Sequence, residues 1–66
     1  MTESEIERRR QVYGMSMADL SVRAGLPYSR VWHGLRGTKL SADELRKLER
    51  AVTAIEQANF RTVAAV

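Results

Sequence analysis

Apolar residues in this chain recur at intervals of three and four, and no stretch alternates strictly between apolar and polar. That is the periodicity of helices with one buried face. Helix formers run from Ser4 to about Tyr13, and Gly14 after them suits the left-handed backbone at a helix C-terminus. Ser16 stands at capping-box spacing from Asp19, an acid shorter than the usual Glu or Gln, and Met17, Leu20, Ser21 and Ala24 follow at i, i+3, i+4 and i+7. This second helix stops at Gly25. Pro27 cannot continue it but suits the first turn of a third helix, predicted from about Pro27 to Arg36, with Gly37 closing it and Thr38 to Leu40 as a connector. Ser41 and Glu44 form a capping box for a fourth helix at about 42–58, where Leu45, Leu48, Val52 and Ile55 make one stripe and Asp43 and Lys47 a surface i,i+4 pair. With no strand pattern, repeat or low-complexity segment, the chain reads as a single all-α domain over 1–66, of four to five helices.

The densest information lies in Met17 to Gly37, MADLSVRAGLPYSRVWHGLRG. Two short helices flank a turn at Gly25, and Leu20, Ala24, Leu26, Val31 and Leu35 are spaced to form a small core between them. A small side chain at Ser21 lets the helices approach, and Gly25 accepts a backbone angle costly for other residues. This is a helix-turn-helix arrangement, at about 17–36.

On these residues the chain resembles the lambda-repressor-like, Cro-type helix-turn-helix family, also called the xenobiotic-response-element family of bacterial and phage regulators. GMSMADLSVRAGLPYSRVWHGLRG is similar to the family core, the preceding helix resembles its first helix, and LSADELRKLERAV resembles the helix after recognition. The resemblance implies a small phage- or prophage-type transcriptional regulator binding double-stranded DNA with sequence specificity. It also implies that Tyr28, Ser29 and His33 meet base edges in the major groove. Three positions stand out against the family pattern, one of them Gly34, which inside the third helix costs about 1 kcal/mol relative to Ala unless close approach of another backbone requires it. Met17 stands where many members carry Gln, and a thioether cannot donate as an amide does. Arg9 stands where relatives have an apolar residue, so Ile6, Val12 and Tyr13 are expected to pack the first helix instead.

The distribution of charge sharpens this picture. Of 66 residues, those from 1 to 15 carry Glu3, Glu5 and Glu7 against Arg8, Arg9 and Arg10, and those from 41 to 66 carry four acids against four bases. The whole net charge of +3 therefore sits in residues 16 to 40, where Arg23, Arg30, Arg36 and Lys39 face Asp19. Such a local basic patch suits phosphates, although a solvated charged surface has the same composition. Arg8 to Arg10 are expected to pair with the glutamates of their own helix in preference to phosphate.

At about 100° per residue, Ser29, Trp32, His33 and Arg36 share one side of the third helix, opposite Val31 and Leu35. Arg30 lies on the flank. Arg36 suits either bidentate guanine reading or a phosphate clamp, and its late place in the helix favours phosphate. His33 can donate to or accept from a base edge, while a lone His of this kind is more often an ordinary surface residue. Trp32 is placed either to face DNA or to pack against the fourth helix through its indole. Ser16 and Thr38 are backbone-phosphate donors as well as ordinary cap and loop residues, and Met17 occupies the family's contact position. Lys39 is the stronger phosphate candidate.

Beyond Ile55, the apolar residues Phe60, Val63 and Val66 continue at near-helical spacing. With Ile55 they are candidate dimer contacts, the tail at 59–66 serving dimerisation; the alternative is that Phe60 closes the monomer core. Related regulators often dimerise through this region, and a two-fold dimer would place its recognition helices about 34 Å apart, matching a pseudo-palindromic operator. Repression is the expected direction, because the chain offers no second domain for sensing a ligand or recruiting polymerase. An enzyme is disfavoured by a single His, no Cys, and no GxSxG, HExxH or phosphate-cradling loop. No cofactor, metal or small-molecule ligand is expected, nor a membrane role, and the absence of a secretory-type start points to the cytoplasm. Two other readings share the fold: a protein-interaction adaptor of antitoxin or anti-repressor type, and an architectural or recombination-directing DNA binder.

Overall fold

The computed structural model describes the backbone of residues 2–64 and the side chains of residues 2–58. Four helices occur in it, α1 (Glu3–Val12), α2 (Met17–Ala24), α3 (Tyr28–Leu35) and α4 (Ala42–Ala64), with no strand among the described residues. Local chemistry explains their starts. The Thr2 hydroxyl accepts from the Glu5 backbone N–H at 3.2 Å, and the Ser16 hydroxyl from that of Asp19 at 3.0 Å. Only half of a capping box forms at Ser16, because the Asp19 carboxylate turns to Arg23. At α4 the box is complete: Ser41 Oγ accepts from Glu44 N at 3.2 Å and Glu44 Oε1 from Ser41 N at 2.9 Å. Pro27 is the N-cap of α3 and Arg36 its C-cap, each just outside the helix that the spacing predicts to contain them.

The helices pack α2 on α3 and α4, and α1 on α3 and α4. Each contributes to one core of Ile6, Met15, Leu20, Ala24, Val31, Leu35, Leu40, Leu48, Ala51, Val52 and Ile55. Ile6, Leu20, Leu48, Val31 and Val52 are completely buried, each contributing about 1.5–3 kcal/mol through removal from water. Ser21 is buried with them and donates to the Ala18 carbonyl at 2.8 Å, as a small residue between α2 and its neighbours should.

Three expectations are corrected here. Val12 is 74% exposed and Tyr13 43% exposed, so α1 packs through Ile6 rather than through all three. Val12 lies about 120° around the helix from Ile6, and Tyr13, on the right bearing, falls past the last helical residue. Its place is taken by Met15 from the following turn, 6% exposed. Second, Arg9, expected to pair within its own helix, grips Glu56 of α4, its Nε 2.7 Å from Oε2 and its Nη2 bonded to Oε1. Arg10 pairs within α1, with Glu7, while its Nη1 donates to the Met15 carbonyl at 2.8 Å. Third, Ile55, expected between two copies, is 7% exposed within the chain's own core.

Three arginine–glutamate pairs make the fold acid-sensitive. The Arg30 hydrogen bonds, followed by the Ser41 backbone N–H, pull the Glu44 carboxyl from 4.5 to about 2. Arg10 lowers Glu7, and Arg9 lowers Glu56, in each case chiefly through its hydrogen bond. A carboxyl held lower in the folded than in the unfolded chain adds stability above its unfolded value, and that stability is lost as pH falls through the folded value. Thermal midpoints should therefore decline as pH drops from 4.5 towards 2, the range set by Glu44. Circular dichroism melts of Glu44→Gln should show a shallower decline than the parent; parallel curves would remove this pair from the acid response.

Candidate nucleic-acid interface

The site begins at the turn. Gly25 adopts φ 70 and ψ 31, the left-handed region that a Cβ penalises, and the N–H groups of Gly25 and Leu26 return to the carbonyls of Val22 and Ser21 at 3.2 and 3.1 Å. The chain thus reverses in two residues, and the Pro27 carbonyl then accepts the first N–H groups of α3, from Arg30 and Val31. No side chain caps the α3 N-terminus, so its positive end faces solvent beside the exposed Tyr28 and Ser29. Val31, Gly34 and Leu35 form the buried side of α3, and this sets which residues are turned outward.

Outward lie Tyr28, 52% exposed, with Ser29, His33 and the C-cap Arg36, followed by Thr38 and Lys39, all exposed. Ser29, Arg30, His33 and Thr38 share one open groove with Pro27 and Glu44. Ser16 is exposed at the start of α2, its hydroxyl oxygen engaged in capping. Met17 is half-buried and packed on the core. Trp32 is also half-buried yet stands outside the core; its ring meets the side chains of its own helix. The Arg36 guanidinium lies over it, Cζ 4.5 Å from the ring centroid, and the His33 ring meets it edge-on at 5.1 Å and 84°.

Folding also redistributes the charge. Arg30 is bidentate to Glu44, with Nε 2.6 Å from Oε2 and Nη2 2.8 Å from Oε1. Arg23 pairs with Asp19 at 3.3 Å. The expectation of four bases against a single acid is therefore corrected, since an acid from α4 neutralises Arg30, and among the described residues the unpaired positive charge of the surface narrows to Arg36 and Lys39. Glu44 is the participant that the sequence pattern does not reveal. Its capping role is legible from spacing, whereas Arg30 lies fourteen residues upstream on another helix and no local signal links the two.

Phe60, Val63 and Val66 lie outside the residues whose side chains are described, although the backbone of α4 remains helical through Ala64. Among the described residues no helix is long and apolar enough to cross a membrane, and no group of His, Cys, Asp or Glu is placed to hold a metal ion. No family model, curated protein or solved structure matches the chain.

Proposed function

We propose that this chain is a cytoplasmic, sequence-specific regulator of transcription that binds double-stranded DNA as a dimer, in the manner of lambda-repressor-like helix-turn-helix proteins, and acts as a repressor. The observation that carries the reading is the α2–Gly25–α3 unit. Its second helix commits Val31 and Leu35 to the core and leaves Ser29, His33 and Arg36 outward beside Lys39. Eight residues make a helix about 12 Å long and about 10 Å across with its side chains, which fits a major groove about 12 Å wide.

In this reading Tyr28, Ser29 and His33 approach base edges from the N-terminal half of α3. Arg36 and Lys39 take phosphates on the far side, with the hydroxyls of Ser16 and Thr38 as further phosphate donors. Arg30 contributes as a strut to Glu44 and not as a free cation. Pairing of two copies through the extended end of α4, on which Phe60 and Val63 are carried, sets a half-site spacing of about 34 Å.

Selection of sites from random duplex DNA, followed by affinity measurements over a range of salt, tests the proposal. The expected outcome is a two-fold-related site with affinity falling steeply as salt rises. Binding without sequence enrichment would favour an architectural DNA binder. No binding at low salt would leave a protein-interaction module on the same scaffold.

A further inference from the structure

Among the described residues, the arginines of α2 and α3 commit their donors to carboxylates, Arg23 to Asp19 and Arg30 to Glu44. Arg36 does not. Its guanidinium is laid on the face of Trp32, and no hydrogen bond from it to another described residue forms. Stacking engages the π face of a guanidinium and leaves its in-plane N–H fork open. The same ring is braced on its other contact by His33, edge-on at 84°. Trp32 is half-buried without joining the core, an unusual place for so large an apolar surface unless the residues above it matter. The Glu7 carboxylate on α1 is lowered chiefly by its hydrogen bond with Arg10, and the charge of Arg36 adds a smaller contribution.

We propose that Trp32 is a positioning residue: its ring holds the Arg36 guanidinium flat and immobile, with the N–H fork presented to a DNA phosphate. This deepens the DNA-binding reading and rests on it. The gain is entropic, because a free arginine must give up its rotamers on binding, whereas one already held on a ring has given them up in the folded protein. It also assigns Trp32 a role that neither base reading nor core packing supplies.

A double-mutant cycle on the selected duplex tests it, with Trp32→Leu, Arg36→Gln and the pair together. Arg36→Gln should weaken binding and reduce the slope of log affinity against log salt by about one. Trp32→Leu should weaken binding about three- to tenfold with the salt slope unchanged, since every charge remains. The pair should be no weaker than Arg36→Gln alone. In the free protein, the Arg36 side-chain protons should show an upfield ring-current shift by nuclear magnetic resonance that Trp32→Leu abolishes. Should Trp32→Leu fail to fold, Trp32→Phe carries the same cycle with a smaller loss. Fully additive losses, or a Trp32→Leu protein that binds like the parent, overturn the proposal while leaving DNA binding intact. Failure of the unsubstituted protein to bind any duplex overturns the DNA reading and this proposal with it, an outcome distinguishable because it appears before any substitution is made.

Discussion

Reversing both Arg36 and Lys39 to glutamate should lower affinity for the selected duplex by a factor on the order of one hundred or more at physiological salt, and should flatten the salt dependence by about two. Among the described residues the two bases are the unpaired cations of the α3 surface, since Arg23 and Arg30 pair with Asp19 and Glu44. Duplex DNA carries one negative charge for about every 1.7 Å of its axis, so two misplaced carboxylates turn attraction into repulsion at the point of closest approach. Stability should fall by no more than about 1 kcal/mol, the scale of the Arg36 stack on Trp32, as both side chains are exposed and neither holds an ion pair among the described residues. Arg46 and Arg50, exposed on α4, provide the control. Reversing them alters the net charge of the chain equally, from +3 by four to −1, but away from α3, and affinity should fall far less. Fluorescence anisotropy with labelled duplex reads both variants. Equal losses would make binding a matter of overall charge, and unaltered binding of the first variant would move the interface off α3.

Replacing Gly34 by alanine should destabilise the fold by about 1–2 kcal/mol, against the usual sign of a glycine-to-alanine change inside a helix, which stabilises by about 1 kcal/mol. A Cβ at Gly34 would lie 2.5 Å from Leu40 Cδ2 and 2.6 Å from both Cδ1 and Cγ. Contact with Cγ as well as the terminal methyls means that rotating the end of the leucine does not clear the clash. Leu40 is 3% exposed and has nowhere to retreat except by moving the connector that leads into α4. The close approach that requires a glycine in α3 is therefore made by a buried leucine side chain and not by another stretch of backbone. For a domain of this size the loss corresponds to a fall of about 5–15 °C in the thermal midpoint. Leu40→Ala should itself destabilise by opening a cavity, yet the pair should lose less than the sum of the two, because the smaller side chain accepts the new methyl. A Gly34→Ala protein more stable than the parent would show that the connector yields freely.

The order of amino acids is enough to specify whatever is encoded within a few neighbouring residues. The capping hydroxyls of Ser16 and Ser41, the turn at Gly25 and Pro27, and the apolar spacing along α2, α3 and α4 all act over one or two helical turns, which is the range of a backbone hydrogen bond or of one helix face. The same spacing places Val31 and Leu35 inward and Ser29 and His33 outward, so most of the candidate surface is legible in the sequence alone. Its charge is not. Arg30 finds Glu44, Arg9 finds Glu56, Leu40 fills the space over Gly34, and Met15 enters the core that Val12 and Tyr13 leave, only once the helices have crossed. These partners lie on different elements, and their meeting depends on the angle and depth at which helices pack, a property of the assembled core that no local spacing carries. Trp32 shows the division within one residue: helical periodicity puts it at the edge of the face, and the packing of the helices keeps it out of the core, where it carries Arg36.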